Sequence, residues 1–472
     1  MTPDALALTS SGDNEAEVTA LRTFMECTKI LSDPYDIKKC AEWIKTNNLE
    51  RVCLQFPDNL LCDAAKVLLD LESLISKKLY ILGDTTCGSC CVDEIAAQHI
   101  NADGIIHFGH ACLNPTIRLP VYHVLPKEEV QVKSICEKFK LSFPDTTQKI
   151  LFFYDVSYAH AVENLYNCLK PVYSKLSLTT LNCNSNVEFV NTRVNSSYST
   201  LGRSFVLENG YKTEDYTAVY WGESGKTMTI LALGIVVSKW FYLSDNRFTE
   251  LQTLDTPWLR RRRYLIEKLK DAKVVGIVVA TLGIKSYLSA INIIKSILKE
   301  KNKKSYIISI GKINPVKLAN FPEIDVFVVI TCPENEVFDS KEFLKPLVIP
   351  YEVELAFNSS REYCAQYFMD FRQILPGGAN YVDFKPSNEA DVSLISSNLR
   401  NCKTDVCVDK MNALALRPEG TVAIGKAGAE FLQSRSWKGV EQNLGKNSVS
   451  PVVKGRIGLA SHYENEPLTK DD

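Results

Sequence analysis

The chain has 472 residues, 45% apolar and 23% charged, a balance typical of folded globular proteins rather than fibrous or disordered ones. Its net charge of −2 supplies no global basic field, so nucleic acid is not an expected partner. Residues 1–17 are polar and acidic, without the basic start and apolar stretch of a secretion signal. The longest apolar stretch, 228–237 (MTILALGIVV), falls well short of the roughly 20 residues that cross a bilayer. It reads as a buried element, and no membrane association is expected. Fifteen cysteines are scattered along the chain. With an odd count and no secretion signal, the expected compartment is the reducing cytoplasm, where cysteines are thiols or metal ligands rather than bridges.

In chain order, apolar strand, polar loop and amphipathic helix recur, the pattern of a parallel α/β architecture. Residues 51–56 (RVCLQF) form a short apolar strand ending at Pro57, and 60–71 carry helical spacing. Strands follow at 79–82, 104–108 and 121–125, with a helix over 92–100. A second unit starts at 149–154 (KILFFY), continues through a helix at 159–169 and a strand at 176–182, and adds a strand from Val219. A helix over 257–272 leads to a third unit, with strands at 274–280, 305–310, 325–331 and 347–349 and a helix at 287–299. The expected organisation is therefore three similar doubly wound parallel-sheet domains, 35–145, 146–256 and 257–384, around a central cleft. A disordered N-terminus, 1–34, precedes them. A largely irregular extension, 385–472, follows, its last thirty residues rich in Gly, Ser, Asn and charge.

Cys40, Cys53, Cys62, Cys136 and Cys168 lie within apolar helices or strands and read as buried structural thiols. Three other sites fall just past the C-terminal end of a predicted strand, where open α/β sheets place their ligands. They are Cys87, Cys90 and Cys91 in TTCGSCC, Cys112 in GHACL, and Cys332 before Pro333. A thiolate near a helix N-terminus is also favoured by the free N–H groups there. If the first and third units face each other, these thiols meet between them. Three thiolates from separate loops fit an iron–sulfur cluster with one iron not held by protein cysteine. Cys90 and Cys91 are adjacent, so their side chains are expected to diverge and only one of them to point at the cluster. Cys87 and Cys90 also form a CxxC, and His107 and His110 could complete a zinc site with Cys90 and Cys112. The plain alternative is that both histidines only hydrogen-bond around their loop. Cys402 and Cys407 have no matching pair and read as ordinary thiols.

Two further motifs carry less. Residues 222–227 (GESGKT) are similar to a phosphate-binding loop, but Tyr220 stands where the leading glycine is required. An anion could still sit on this Gly-rich backbone. Arg260, Arg261, Arg262 and Arg263 are consecutive, and on a helix they are expected to spread around a solvated, salt-bridged surface. A docking surface for an acidic partner is the alternative.

The segments GDT…GSCCVDE (83–94), AD (102–103) and HFGHACL (107–113), with LERVCLQFP (49–57), WLRRRRYLIEKLKDA (258–272) and the Cys332-Pro333 to Pro350-Tyr351-Glu352 stretch, resemble the diphthamide biosynthesis protein family. The resemblance spans about 35–384, and residues 435–441 also look family-like. It implies a [4Fe-4S] cluster held by cysteines, which in catalytic chains cleaves S-adenosylmethionine. The resulting 3-amino-3-carboxypropyl group passes to a histidine of elongation factor 2. The Gly-Ser-Cys-Cys wording is similar to the accessory one of two paralogous subunits. That implies a heterodimer with diphthamide biosynthesis protein 1, the catalytic paralogue that uses S-adenosylmethionine. It further implies that this chain supports reduction of its partner's cluster, together with electron-donor and J-domain accessory proteins. Catalytic chains carry Leu-Gly-Cys in the middle domain, whereas this chain reads Leu201-Gly202-Arg203. The middle-domain ligand is thus missing, and the implied metal set is three of Cys90, Cys91, Cys112 and Cys332, with no catalytic residues expected here. The resemblance favours Cys90 over Cys91, because Cys90 matches the family's single first-domain cysteine. The alternatives are a structural partner without a functional cluster, or a zinc or thiol-redox protein.

Overall fold

The computed structural model describes residues 33–83, 88–183, 197–208, 210–244, 247–251, 257–335, 342–364, 366–386, 391–397, 399–400, 458–459 and 462–463. Cys87, Cys402, Cys407, residues 1–32 and nearly all of the expected C-terminal extension lie outside them. Residues 1–405 cluster as one compact unit and 406–472 as a second, whose described part is a hairpin of Gly458–Leu459 with His462–Tyr463.

In the first unit, α1 (Ile37–Thr46) leads into β1 (Val52–Gln55). There follow α2 (Ala64–Ile75), β2 (Leu79–Leu82), α3 (Glu94–His99), β3 (Gly104–Phe108) and β4 (Val121–Val124). Next come α4 (Val132–Ser142), β5 (Ile150–Tyr154), α5 (Val162–Leu169) and β6 (Leu176–Leu178). A small antiparallel sheet of β7 (Thr180–Leu181), β8 (Ser197–Thr200) and β9 (Arg203–Val206) precedes β10 (Thr217–Trp221) and α6 (Lys226–Gly234). Then β11 (Lys239–Ser244) and β12 (Arg247–Leu251) lead to α7 (Pro257–Asp271). The last part holds β13 (Val274–Val279), α8 (Tyr287–Glu300), β14 (Lys304–Ser309), α9 (Pro315–Ala319), β15 (Val326–Ile330), β16 (Leu347–Val348) and α10 (Pro350–Phe357).

These strands build sheets of order β2-β1-β3-β4, β12-β11-β10-β5-β6 and β14-β13-β15-β16. All pairs are parallel except β11 with β12. In each sheet the first strand lies between the second and third, and the fourth flanks the third. The same winding therefore occurs three times, and each sheet reverses direction between its first and third strands. A loop leaving either strand there borders a crevice. Residues of β1, β3, β5, β10 and β15 are all buried, whereas β14 alternates towards exposure at its edge. Helices on both faces explain the unbroken apolar runs.

Three local expectations need correcting. The helix expected from residue 60 starts as a 3-10 turn over Asp58–Asp63, launched by Pro57, and continues as α2. That turn leaves Cys62 exposed rather than buried. The strand expected over 176–182 leaves its sheet after Leu178, and Thr180–Leu181 pair with β9 instead. Cys136 and Cys168 are not free thiols: they form a disulfide. Cys136 lies on the buried face of α4, which packs against α5, so both sulfurs fall within the core beside the second sheet.

One apolar core runs continuously from the second sheet into the third, through α6 and residues 367–369. Inside it lies a charged pair. Arg262 is 2% exposed and donates from Nε and Nη2 to both carboxylate oxygens of Glu352, which is wholly buried. Glu352 also accepts from Tyr367 and from the Ile349 backbone N–H. The expectation of four solvated arginines thus holds for Arg260, Arg261 and Arg263, which are exposed, and fails for Arg262. The 3.6-residue repeat turns this one position inward, where a planar fork meets a carboxylate. The small antiparallel sheet meets the loop after β3 at a tighter point. Gly202, at φ +66, presses its Cα against Leu113, and a methyl there would lie 2.8 Å from the Leu113 carbonyl oxygen.

Two stability effects are expected. Glu352→Ala strands a buried guanidinium and costs about 3–5 kcal/mol, while replacing Arg262 and Glu352 together by Met and Leu costs less than either single truncation. Gly202→Ala meets both an unfavourable φ and a backbone clash, and costs more than about 1 kcal/mol. Denaturant midpoints of the purified chain measure both.

Candidate metal centre

Cys90 and Cys91 lie in the turn between β2 and α3, where the Cys91 N–H donates to Gly88 O. The turn is held from below by Gln55, the last residue of β1. Its amide donates to Cys91 O at 2.7 Å and its carbonyl accepts the Asp93 N–H at 2.9 Å. His107 Nε2 meets Ser89 O at 3.1 Å. Burial lowers the His107 pKa, so the ring is a neutral donor to that carbonyl. Asp93 then caps α3 by accepting from the Ala96 N–H. Cys112 follows β3, and its N–H donates to Cys90 O, tying the two loops together. Glu94, 2% exposed, accepts from the N–H groups of Ile117, Arg118 and Leu119, fixing the course of the chain beyond Cys112.

Cys332 follows β15 in the third sheet. The sulfurs of Cys90, Cys91, Cys112 and Cys332 all lie within 4.8 Å of one another. Cys91 and Cys112 sulfurs are 3.5 Å apart, and those of Cys90 and Cys91 3.9 Å. Cys91, Cys112 and Cys332 are 8%, 3% and 3% exposed. The adjacent Cys90 and Cys91 therefore do not diverge as expected, because the turn curls both side chains towards Cys112. Their backbone is not the extended chain in which neighbours point to opposite sides. His107 and His110 are outside this group, which among the described residues consists of the four thiols alone.

Hydrogen bonds from Cys332, Cys90 and Cys91 hold the Cys112 thiol well below its ordinary pKa. The same contacts with Cys112 raise Cys91 and Cys332. The thiolate is the form of cysteine that binds metal. Four soft donors with no carboxylate among them suit zinc or iron–sulfur chemistry rather than magnesium or calcium.

The surrounding polar groups come from all three sheets. Glu334, two residues after Cys332, is 6% exposed. It pairs with His110 of the first sheet at 2.9 Å and accepts from Thr227 of the second at 3.0 Å. Burial opposes the charge on His110, but the hydrogen bond and charge of Glu334, with Asp155 beyond, raise its pKa. Thr227 belongs to the loop similar to a phosphate-binding motif. Its helix, α6, begins at Lys226 after Gly225, and the anion its hydroxyl meets is Glu334. Tyr220, at the position of the missing glycine, donates to Asp155 at 2.9 Å.

Arg203, where catalytic relatives are expected to carry a cysteine, is wholly buried. It donates to Leu201 O at 3.0 Å and reaches Tyr154 O at 3.5 Å. The second sheet contributes no thiol to the group.

The sequence reading missed Gln55, Asn114, Glu334 and Arg372. Asn114 donates to Cys112 Sγ at 3.1 Å and to Cys332 Sγ at 3.2 Å, and accepts from Arg372 at 2.8 Å. Gln55 had a signal, as the one amide in the otherwise apolar strand VCLQ. So did Asn114, in the Asn-Pro pair two residues past Cys112. Glu334 and Arg372 had none.

Comparison with known proteins agrees with this geometry. Residues 56–368 match the family described as "Putative diphthamide synthesis protein". A Danio rerio protein named 2-(3-amino-3-carboxypropyl)histidine synthase subunit 2 is 38% identical, over 98% of this chain and 97% of its own length. Proteins of that name from Xenopus laevis and Schizosaccharomyces pombe are 40% and 32% identical, the first over 93% of both chains and the second over 92% of this chain and 91% of its own. The crystal structure of Dph2 from Pyrococcus horikoshii with a 4Fe-4S cluster shares the fold, with a TM-score of 0.55 at 18% identity over 75% of this chain and 96% of that one. With most of its length covered by the family match and by these relatives, the chain belongs to the diphthamide synthesis protein family.

Proposed function

We propose that this chain is the accessory, iron–sulfur-carrying subunit of a 2-(3-amino-3-carboxypropyl)histidine synthase. Its relatives carry the name of subunit 2 of that enzyme. The supporting observation is the gathering of Cys90, Cys91, Cys112 and Cys332, from the loops of two sheets, into one buried group. Three of the four would hold a [4Fe-4S] cluster, Cys112 as the most readily ionised thiol and Cys332 as the contribution of the third sheet. A cluster of this kind supplies one-electron transfer when bound. The protein's part is to gather the thiols, keep water away and fix the loops through Gln55, Glu94 and His107.

Arg203 supports the accessory role. It puts a guanidinium rather than a thiol at position 203, and all candidate ligands come from loops of the first and third sheets. In this reading a paralogous partner subunit binds S-adenosylmethionine and transfers its 3-amino-3-carboxypropyl group to a histidine of elongation factor 2. This chain passes electrons to the partner's cluster, supplied by donor and J-domain proteins of the cytoplasm. The three-sheet division corresponds to three domains, with the centre in the cleft between the first and third.

One observation favours a second reading. Zinc–sulfur bonds of about 2.3 Å in a tetrahedron place sulfurs about 3.8 Å apart, close to the 3.5 and 3.9 Å separations here. A structural zinc ion is the alternative that these distances support.

Metal analysis separates the two. The full chain, reconstituted anaerobically with iron and sulfide, is expected to bind about four of each per chain and to lose them when Cys90, Cys112 and Cys332 are changed together to Ala. Stoichiometric zinc retained against iron and sulfide would sink the iron–sulfur reading. Comparing Cys90→Ala with Cys91→Ala identifies the third ligand, as the change that lowers iron content more. With the partner subunit present, the triple variant is expected to form 2-(3-amino-3-carboxypropyl)histidine at least tenfold more slowly while still co-purifying with it. An unchanged rate would leave this chain a scaffold only.

A further inference from the structure

A loop amide bridges two of the candidate ligands. Asn114 Nδ2 lies 3.1 Å from Cys112 Sγ and 3.2 Å from Cys332 Sγ, and one amide group has two hydrogens, so both sulfurs can be served at once. Its other end is fixed: Oδ1 accepts from Arg372 Nη2 at 2.8 Å. Arg372 is a donor with no acceptor atoms, so it must face the carbonyl oxygen, which turns the NH₂ towards the sulfurs. Arg372 is itself clamped by Asp370, through Nε at 2.9 Å and Nη2 at 2.7 Å. Asp370 also accepts from the Arg372 N–H, at the start of the 3-10 turn Phe371–Gln373. The chain Asp370–Arg372–Asn114 therefore ends in two N–H groups aimed at thiols from different sheets.

Resting on the iron–sulfur reading above, we propose that Asn114 is a positioning residue that sets the reduction potential of the cluster, with Arg372 fixing its orientation. An N–H donor on a ligand sulfur withdraws electron density from it, and this favours the reduced, more negative state of an iron–sulfur centre. The buried guanidinium behind it acts in the same direction. Both raise the potential, so that the centre accepts an electron from a weaker donor. The step concerned is the uptake of one electron by the cluster from an external reductant, with no bond made or broken in the protein.

The test uses the full chain reconstituted anaerobically, with dithionite as the reductant in a potentiometric titration followed by electron paramagnetic resonance. Asn114→Ala is expected to bind the same iron and sulfide as the unaltered chain but to be reduced about tenfold less readily at a given potential, a fall of about 59 mV for a one-electron couple. Asn114→Asp, which keeps the shape and exchanges the donor for an acceptor, is expected to fall further. Arg372→Gln is expected to fall in the same direction by freeing the amide. An intact cluster at unaltered potential in Asn114→Ala and Asn114→Asp would overturn this inference and leave the iron–sulfur reading standing. Folded variants of both kinds that bind no iron would make Asn114 a scaffold residue and overturn it as well. Failure of the unaltered chain to bind iron would instead overturn the reading on which it rests.

Discussion

Glu334 is the carboxylate on which the three sheets meet. It leaves the third sheet two residues after Cys332, pairs with His110 two residues before Cys112, and takes a hydrogen bond from Thr227 on the second sheet. A buried acid is tolerated only where donors surround it, and here each donor comes from a different sheet. The spacing of the thiols is therefore tied to the docking of the sheets. Apart from Cys90 and Cys91, the groups around the centre lie at or just past the end of the first or third strand of their sheet: Gln55, His110 and Cys112 in the first, Asp155 and Thr227 in the second, Cys332 and Glu334 in the third. Cys90 and Cys91, which follow the second strand, are drawn in by Gln55 and by the Cys112 N–H. Threefold reuse of one winding is what allows residues more than two hundred positions apart to converge.

The strands and long helices were legible because their signals are strong. A parallel strand covered on both faces must be apolar throughout, so 104–108, 150–154 and 326–330 could be read directly. The site was legible to the extent that loops past strand ends carry ligands, which singled out Cys90, Cys91, Cys112 and Cys332. Its inner arrangement was not. Whether adjacent cysteines diverge depends on local backbone, and the turn closed by the Cys91 N–H on Gly88 O reversed the expectation for Cys90 and Cys91. Arg262 was indistinguishable from its three neighbours, because only Glu352, ninety residues on, distinguishes a buried arginine from a solvated one. Cys136 and Cys168 failed for the same reason: a helix reveals which face is apolar, not which partner helix brings a second sulfur to it.

The small antiparallel sheet beside the second sheet touches the centre without supplying a ligand to it. Its Arg203 guanidinium donates to Leu201 O and reaches Tyr154 O at the end of β5 in the second sheet. Gly202, in the turn between β8 and β9, presses on Leu113 beside Cys112, so this sheet makes a mechanical contact with the centre rather than a chemical one. The candidate ligands come from loops of the first and third sheets, and Glu334 beside them pairs with His110 and accepts from Thr227. The carboxylate of Glu334 thus does for the second sheet what Cys332 does for the third: it fixes that sheet to the centre, but without adding a sulfur ligand.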